Sequence, residues 1–115
     1  MRSDFAPFFI IGAPRSGTKY LRDLICSSER CSSIPYDINF FWRHHREKYF
    51  HDDITYLDID EDQVGWIRSN LPKIFNKTST KSFLFEKTVS NTLRIPLLDY
   101  CFPNSKFIHL VRDGR

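Results

Sequence analysis

The fold of this chain is decided by residues 8–19, which read FFIIGAPRSGTK. The four apolar residues at 8–11 predict a strand buried on both faces, because such strands show no alternation of polar and apolar side chains. The strand runs into a loop bounded by Gly12 and Gly17, and the pattern of residues 18–28 predicts a helix directly after it. A glycine-rich loop between a strand and a helix favours a bound phosphate, since backbone N–H groups and the helix N-terminus both attract anions.

Short apolar runs alternate with helical patterns along the rest of the chain. Further strands are predicted at 33–36, 82–87 and 106–111, with helices from the acidic segment 58–62 to about Asn76 and after Ser90 or Asn91. This order predicts an α/β fold, a three-layer P-loop-like parallel sheet with flanking helices. No helix follows the last strand to cover it. We therefore expect residues 1–115 to be the N-terminal part of a single larger domain, with an incomplete sheet.

Two segments carry more detailed expectations. In the first helix, residues Leu21, Leu24, Ile25 and Ser28 recur at helical spacing, which predicts that they share one face. Residues 37–50 are rich in aromatic and basic side chains, and this composition fits either a helix or an ordered loop.

Composition excludes several classes of protein. The 115 residues are 41% hydrophobic and 16% aromatic, which indicates a packed core rather than disorder. A net charge of +3 without a run of Lys and Arg favours a small anionic ligand over nucleic acid. Three cysteines without a Cys-x-x-Cys pair predict reduced thiols, no metal site and a cytoplasmic protein. No stretch approaches the roughly 20 apolar residues that span a bilayer, and the oligomeric state leaves no signal in the sequence.

The glycine-rich loop departs from that of nucleotide-hydrolysing enzymes. Their P-loop needs Lys followed by Ser or Thr directly after the second glycine. Here Thr18 precedes Lys19, and a positive charge lies inside the loop as Arg15. The departure argues against a standard NTPase, although a P-loop nucleotide or nucleoside kinase remains the alternative.

The loop resembles the 5′-phosphosulfate loop of sulfotransferases that use 3′-phosphoadenosine 5′-phosphosulfate (PAPS), which reads Pro-Lys/Arg-Ser-Gly-Thr after a strand. Residues 14–18 match it as Pro-Arg-Ser-Gly-Thr. Residues 107–115 resemble the family's 3′-phosphate strand and its terminal Arg-Asp turn. Residues 35–43 and 86–94 resemble segments of bacterial members, so the resemblance covers nearly the whole chain but only the front part of the family's domain.

The resemblance implies a reaction and a site. PAPS would be the co-substrate, a sulfuryl group would move to a hydroxyl or amine of an unidentified small-molecule acceptor, and no metal would take part. Arg15 would offset charge on the leaving group, Asp37 would be the base, and Lys87 would contact the sulfuryl group or the acceptor. Arg112 would bind the 3′-phosphate, or else pair with Asp113. The full donor-binding set is Pro14, Arg15, Ser16, Gly17, Thr18, Lys19 and Arg112.

Several of these assignments have structural alternatives. Asp37 could cap a helix over residues 38–42, and Lys87 could be exposed or pair with Glu86. Arg94 could support the acceptor side or lie on a helix surface. For the chain as a whole, the non-enzymatic alternative is a truncated or decayed gene product, and we expect 115 residues alone to be inactive.

Overall fold

The computed structural model describes residues 5–13, 15–44, 51–78 and 83–111. Within these ranges four strands form one sheet: β1 (Phe8–Ile11), β2 (Cys31–Ser33), β3 (Phe83–Lys87) and β4 (Lys106–His109). Their order across the sheet is β2-β3-β1-β4, and every neighbouring pair is parallel. The predicted α/β class with a parallel sheet is confirmed.

The strand order brings the ends of β1 and β3 together. The chain leaves β1 toward β2 on one side, whereas it leaves β3 and crosses β1 to reach β4 on the other side. In the register of the sheet, Ile10 pairs with Lys87 and Ile11 pairs with His109. Ligand sites of open parallel sheets lie at such reversals, beyond the carboxyl ends of the strands.

Helices cover both faces of the sheet. The helices are α1 (Thr18–Ile25), α2 (Asn39–Trp42), α3 (Glu61–Thr78) and α4 (Ile95–Cys101), with 3-10 helices at Tyr56–Asp58 and Val89–Leu93. One face of the sheet carries the hydrophobic core, in which Phe9 meets Trp42, Leu71 and Leu98 from α2, α3 and α4. Helix α1 packs against β1 and β3 and contributes no side chain to this core, so the flanking helices form layers on both sides.

The predicted face of α1 is not its most buried face. Leu24 is 57% exposed, whereas Thr18 and Arg22 are buried. The loop before the helix sets its rotation, because the Thr18 methyl group packs beside the backbone of Gly12. The apolar spacing was therefore overridden by the requirement to hold the loop.

The predicted helix after Ser90 or Asn91 is divided. A 3-10 helix ends at Leu93, Arg94 forms the N-cap position of α4, and Pro96 lies in the first turn of α4. Proline lacks an N–H and is tolerated there because the first-turn N–H groups have no intrahelical acceptor. The division matters for the site, because it turns the polar side chains of the 3-10 helix toward the ends of β1 and β3.

Candidate functional site

The loop after β1 has the backbone of an anion cradle. Arg15 and Gly17 both adopt left-handed conformations, with φ of 63° and 96°. Helix α1 begins at Thr18, and Gly17 occupies its N-cap position without a side-chain cap. Alternation of left- and right-handed residues turns successive N–H groups toward a common point, and the helix N-terminus adds favourable potential for negative charge.

Gly12 is required at the start of the loop by close packing. A Cβ at this position would lie 2.8 Å from the carbonyl oxygen of Leu110 and 2.9 Å from Oγ of Ser16. The Leu110 oxygen belongs to the backbone just after β4, and Leu110 N–H donates to the Ile11 carbonyl at 3.0 Å. The end of β4 therefore lies directly against the beginning of the loop.

Ser16 carries a polar atom without a protein partner. Its Oγ is buried, and no hydrogen-bond partner for it exists among the residues that the structure describes. A buried hydroxyl without a partner is costly, so it indicates a place where a ligand atom completes the bonding. Together with the left-handed loop and the space that glycine leaves, this hydroxyl fits a bound anion such as a phosphate group.

Thr92 fixes the loop from the 3-10 helix that follows β3. Its hydroxyl accepts the Gly12 N–H at 2.9 Å and donates to the Gly12 carbonyl at 3.0 Å. Both polar groups of Gly12 are thereby satisfied by one side chain. The first residue of the loop cannot move without breaking both bonds.

A cleft of about 440 Å³ joins the loop to the end of β3. Its lining comprises Arg15, Gly17, Thr18, Lys19, Lys87 and Val89. Three cationic side chains face this one space, which favours a ligand with several negative charges. The register that pairs β1 with β3 is what brings Lys87 to the loop, 70 positions after Gly17 in the sequence.

Lys87 is paired with Asp37. The Nζ atom of Lys87 lies 2.7 Å from Oδ1 of Asp37, and the second carboxylate oxygen accepts the Val89 N–H at 3.1 Å. The Lys87 side chain is only 8% exposed, whereas that of Asp37 is 37% exposed. Both alternatives for Lys87, an exposed lysine and a partner of Glu86, are therefore wrong.

The capping alternative for Asp37 is also wrong. Helix α2 begins at Asn39, its N-cap is Ile38, and no side chain caps it. The Asp37 carboxylate instead bonds across to the end of β3. A carboxylate held against a buried ammonium group at the edge of a cleft can accept a proton from a ligand hydroxyl.

A buried polar network lies behind this pair. The Glu86 carboxylate accepts bonds from the Thr88 hydroxyl at 2.5 Å and from Nδ2 of Asn91 at 2.8 Å. Burial raises the pKa of Glu86 to about 7, although the Thr88 hydrogen bond opposes this rise. Arg94, which is fully buried, donates from Nε to Oδ1 of Asn91 at 2.7 Å and also binds the Asn39 side chain.

Arg94 therefore does not lie on a helix surface. Burial lowers its pKa to about 10, against the opposing effect of the Asp52 and Glu86 carboxylates, so it stays charged at neutral pH. Burial opposes the ionisation of Asp52, but hydrogen bonds from Asn39 and Ser90 and the charges of Arg94 and Arg43 together lower its pKa.

Comparison with known protein families identifies the family of this chain. A family model described as "Sulfotransferase family" matches residues 7–115. The chain belongs to the sulfotransferase family. No curated protein matches the chain. The match spans the cradle, the cleft and the Asp37–Lys87 pair, and membership of this sulfotransferase family indicates a transferase.

Most of the residues assigned from the sequence meet at one place in this sulfotransferase chain. Arg15, Gly17, Thr18, Lys19 and Lys87 line the cleft. Ser16 lies inside the loop with its hydroxyl buried, and Asp37 contacts the cleft through Lys87. Pro14 and Arg112 lie outside the described residues, and their assignments stay predictions.

Sequence reasoning missed the polar side chains that support the sulfotransferase site. Thr92 binds the start of the loop and Thr88 binds Ile38 beside Asp37, yet neither was assigned a role, and Glu86 was considered only as a partner of Lys87. A signal existed, since Glu86 and Thr88 flank Lys87 at the end of a buried strand, where the ligand sites of open parallel sheets lie.

Neither a metal-ligand cluster nor a membrane-spanning helix occurs in the described parts of the sulfotransferase chain. Within 5–13, 15–44, 51–78 and 83–111, no group of three or more His, Cys, Asp or Glu side chains is arranged to hold a metal ion. In the same residues no helix is long and apolar enough to cross a membrane.

Proposed function

We propose that the cleft of this chain is a PAPS site, from which active members of the family transfer the sulfuryl group to a hydroxyl or amine of a small acceptor, although the 115 residues alone are expected to be inactive. The observation that carries the proposal is the meeting of the loop with the Asp37–Lys87 pair in one cationic cleft. PAPS, when bound, supplies a sulfuryl group attached to a phosphate that can leave. Family membership supports this type of reaction.

The loop would bind the anionic end of the donor. The N–H groups of Gly17 and Thr18 at the start of α1 would donate to it, and the Ser16 hydroxyl would find its missing partner there. Arg15 would act through its charge, because a guanidinium does not give up its proton at neutral pH. Arg112, which lies outside the described residues, is proposed for the 3′-phosphate on the family motif alone.

Asp37 and Lys87 would serve the acceptor side. The transfer breaks the bond between sulfur and the bridging oxygen and forms a bond between sulfur and the acceptor atom. One proton leaves the acceptor, and the Asp37 carboxylate would take it. Lys87 would hold that carboxylate in place and stabilise negative charge in the cleft, as positioned cations do in phosphoryl transfer.

Calorimetry with adenosine 3′,5′-bisphosphate (PAP) tests the donor site. Loss of a charge-assisted hydrogen bond costs about 1.5–3 kcal/mol, so we expect Arg15→Ala and Arg112→Ala each to weaken PAP binding about 10- to 100-fold. Arg30→Ala is the matched control, since Arg30 lies at the opposite end of the sheet, where its carbonyl accepts the Phe83 N–H that begins β3. It should leave PAP affinity unchanged.

Two outcomes would reject the donor site. One is unchanged PAP affinity in both Arg15→Ala and Arg112→Ala. The other is tight binding of Mg-ATP with no binding of PAP, which would favour the nucleotide or nucleoside kinase. Equal losses in all three arginine variants would indicate only a general effect of charge.

A further inference from the structure

Glu86 is a completely buried carboxylate next to the proposed catalytic lysine. It precedes Lys87 at the end of β3, and its exposed fraction is zero. Neighbouring residues of a strand point to opposite faces, so Lys87 faces the cleft while Glu86 faces the interior. Burial of a carboxylate costs desolvation free energy, which hydrogen bonds to the carboxylate must offset.

The first of its oxygens leads to the segment that carries Asp37. Oε2 of Glu86 accepts from the Thr88 hydroxyl at 2.5 Å, and that hydroxyl oxygen accepts the Ile38 N–H at 3.0 Å. Since the Thr88 proton is used toward Glu86, the hydroxyl oxygen is left to accept. The Thr88 hydroxyl therefore links the Glu86 carboxylate to the backbone of Ile38.

The second oxygen leads to the same segment by another route. Oε1 of Glu86 accepts from Asn91 Nδ2 at 2.8 Å, and Oδ1 of Asn91 accepts from Arg94 at 2.7 Å. Arg94 then donates to the side-chain oxygen of Asn39. Both chains of hydrogen bonds end within two residues of Asp37.

We infer that Glu86 is a positioning residue, which holds the segment bearing Asp37 against Lys87 through Thr88 on one side and through Asn91 and Arg94 on the other. The Asp37–Lys87 contact at 2.7 Å closes the ring that these bonds form. The importance of this ring for transfer rests on the proposed function. The existence of the ring as a set of linked hydrogen bonds does not depend on the proposed function.

The ring responds to the proton on Glu86. Burial raises the pKa of this carboxyl to about 7, the hydrogen bond from Thr88 lowers it, and of the charged groups that face it Asp37 raises it and Arg94 lowers it. A protonated Glu86 offers one oxygen as a donor. That oxygen donates to the Thr88 hydroxyl oxygen, which still accepts the Ile38 N–H, so the protonated ring stays bonded, whereas ionisation of the buried carboxyl favours an opened ring.

Amide hydrogen exchange tests this role without any substrate. The Ile38 N–H donates to Thr88, and the Val89 N–H donates to Asp37, so the two amides report on opposite parts of the ring. We expect Glu86→Gln to lower protection factors at both amides at least tenfold relative to that of Leu71 in the core of α3. Equal changes at all three amides, or none, would reject positioning by Glu86.

A pH series on the unmodified chain tests positioning by Glu86 even if the Glu86→Gln variant does not fold. Protection factors of Ile38 and Val89 should fall in a step as pH rises to about 7, because Glu86 ionises more easily when the ring opens, and Leu71 should fall in parallel through unfolding of the whole chain. Absence of the step at the two reporter amides would overturn the inference. PAP calorimetry on the same samples keeps the proposals separate, because loss of PAP binding rejects the proposed function and leaves the exchange result standing.

Discussion

The hydroxyl of Thr92 satisfies both backbone groups of Gly12, accepting its N–H at 2.9 Å and donating to its carbonyl at 3.0 Å. Eighty positions of sequence separate the two residues. The 3-10 helix that carries Thr92 also carries Asn91, which binds Glu86. This one 3-10 helix therefore binds both the start of the loop, through Thr92, and the carboxylate next to Lys87, through Asn91.

Replacement of Thr92 by valine should loosen the loop. Valine has the same shape but leaves the Gly12 N–H and carbonyl without partners, which costs about 1–3 kcal/mol for a buried group. We expect calorimetry to show PAP affinity reduced at least fivefold. Thr92→Ser keeps the hydroxyl and should bind PAP within about twofold of the unmodified chain. Identical affinities for valine and serine would mean that the contact does not shape the donor site.

Substitution of Gly12 by alanine should destabilise the chain. The added Cβ would lie 2.8 Å from the Leu110 carbonyl oxygen, a backbone atom that cannot turn away. Overpacking of this kind costs about 1–3 kcal/mol, which urea denaturation can measure. Gly65→Ala is the matched control, because nothing lies within 4 Å of the Cβ that it would add inside α3. That control should gain stability, by up to about 1 kcal/mol. Equal effects at the two glycines would contradict the close packing at Gly12.

The sequence was sufficient for features with a local signal. Four apolar residues predict β1, and the spacing of Gly12 and Gly17 predicts the loop after it, because strand burial and tight turns depend on adjacent residues. Lys87 was also predicted, since its place at the end of a buried strand follows from the apolar run before it. In the structure Gly17 and Lys87 line the same cleft at one edge of the sheet.

Contacts between distant segments could not be predicted in the same way. Nothing near Thr92 indicates that its hydroxyl binds a glycine in another part of the chain, and a threonine after a strand is common on surfaces. The buried face of α1 could not be predicted for a related reason, because periodicity counts apolar residues and Arg22 is buried on this helix. The break at Arg94 depends on its burial against Asn39 and Asp52, which lie in other segments.

Asp37→Asn should separate proton transfer from donor binding. The amide keeps the shape of the side chain but is not a base, and removal of a general base costs about 10²- to 10⁴-fold in rate. We expect the transfer rate of any active preparation to fall at least a hundredfold, while PAP affinity changes less than threefold. Asp99→Asn, an exposed change on α4, should alter neither quantity. Retention of the rate in Asp37→Asn would remove Asp37 from the reaction.

The Asp37–Lys87 pair should show coupling in the free energy of unfolding. Loss of Asp37 leaves the Lys87 ammonium buried without its partner, whereas loss of both charges does not. Because Asp37 is more than a third exposed, solvent screens the pair, and we expect a coupling of about 1 kcal/mol rather than the larger value of a fully buried pair. Urea denaturation of Asp37→Asn, Lys87→Met and the double variant measures it. Additive losses would show that the pair contributes no coupling to stability.

Glu86 should make the stability of the chain fall as pH rises toward neutrality. Its carboxyl has a pKa near 4.5 when unfolded and about 7 when folded, so the folded chain holds the extra proton between these values. Stability then declines with pH in that interval, and at about 1.4 kcal/mol per pH unit the full loss is about 3 kcal/mol above pH 7. Glu86→Gln cannot ionise and removes this contribution. Urea denaturation at pH 5, 6, 7 and 8 should therefore show Glu86→Gln gaining about 2–3 kcal/mol relative to the unmodified chain across the series. A constant difference between the two curves would mean that Glu86 ionises in the folded chain as easily as in the unfolded one.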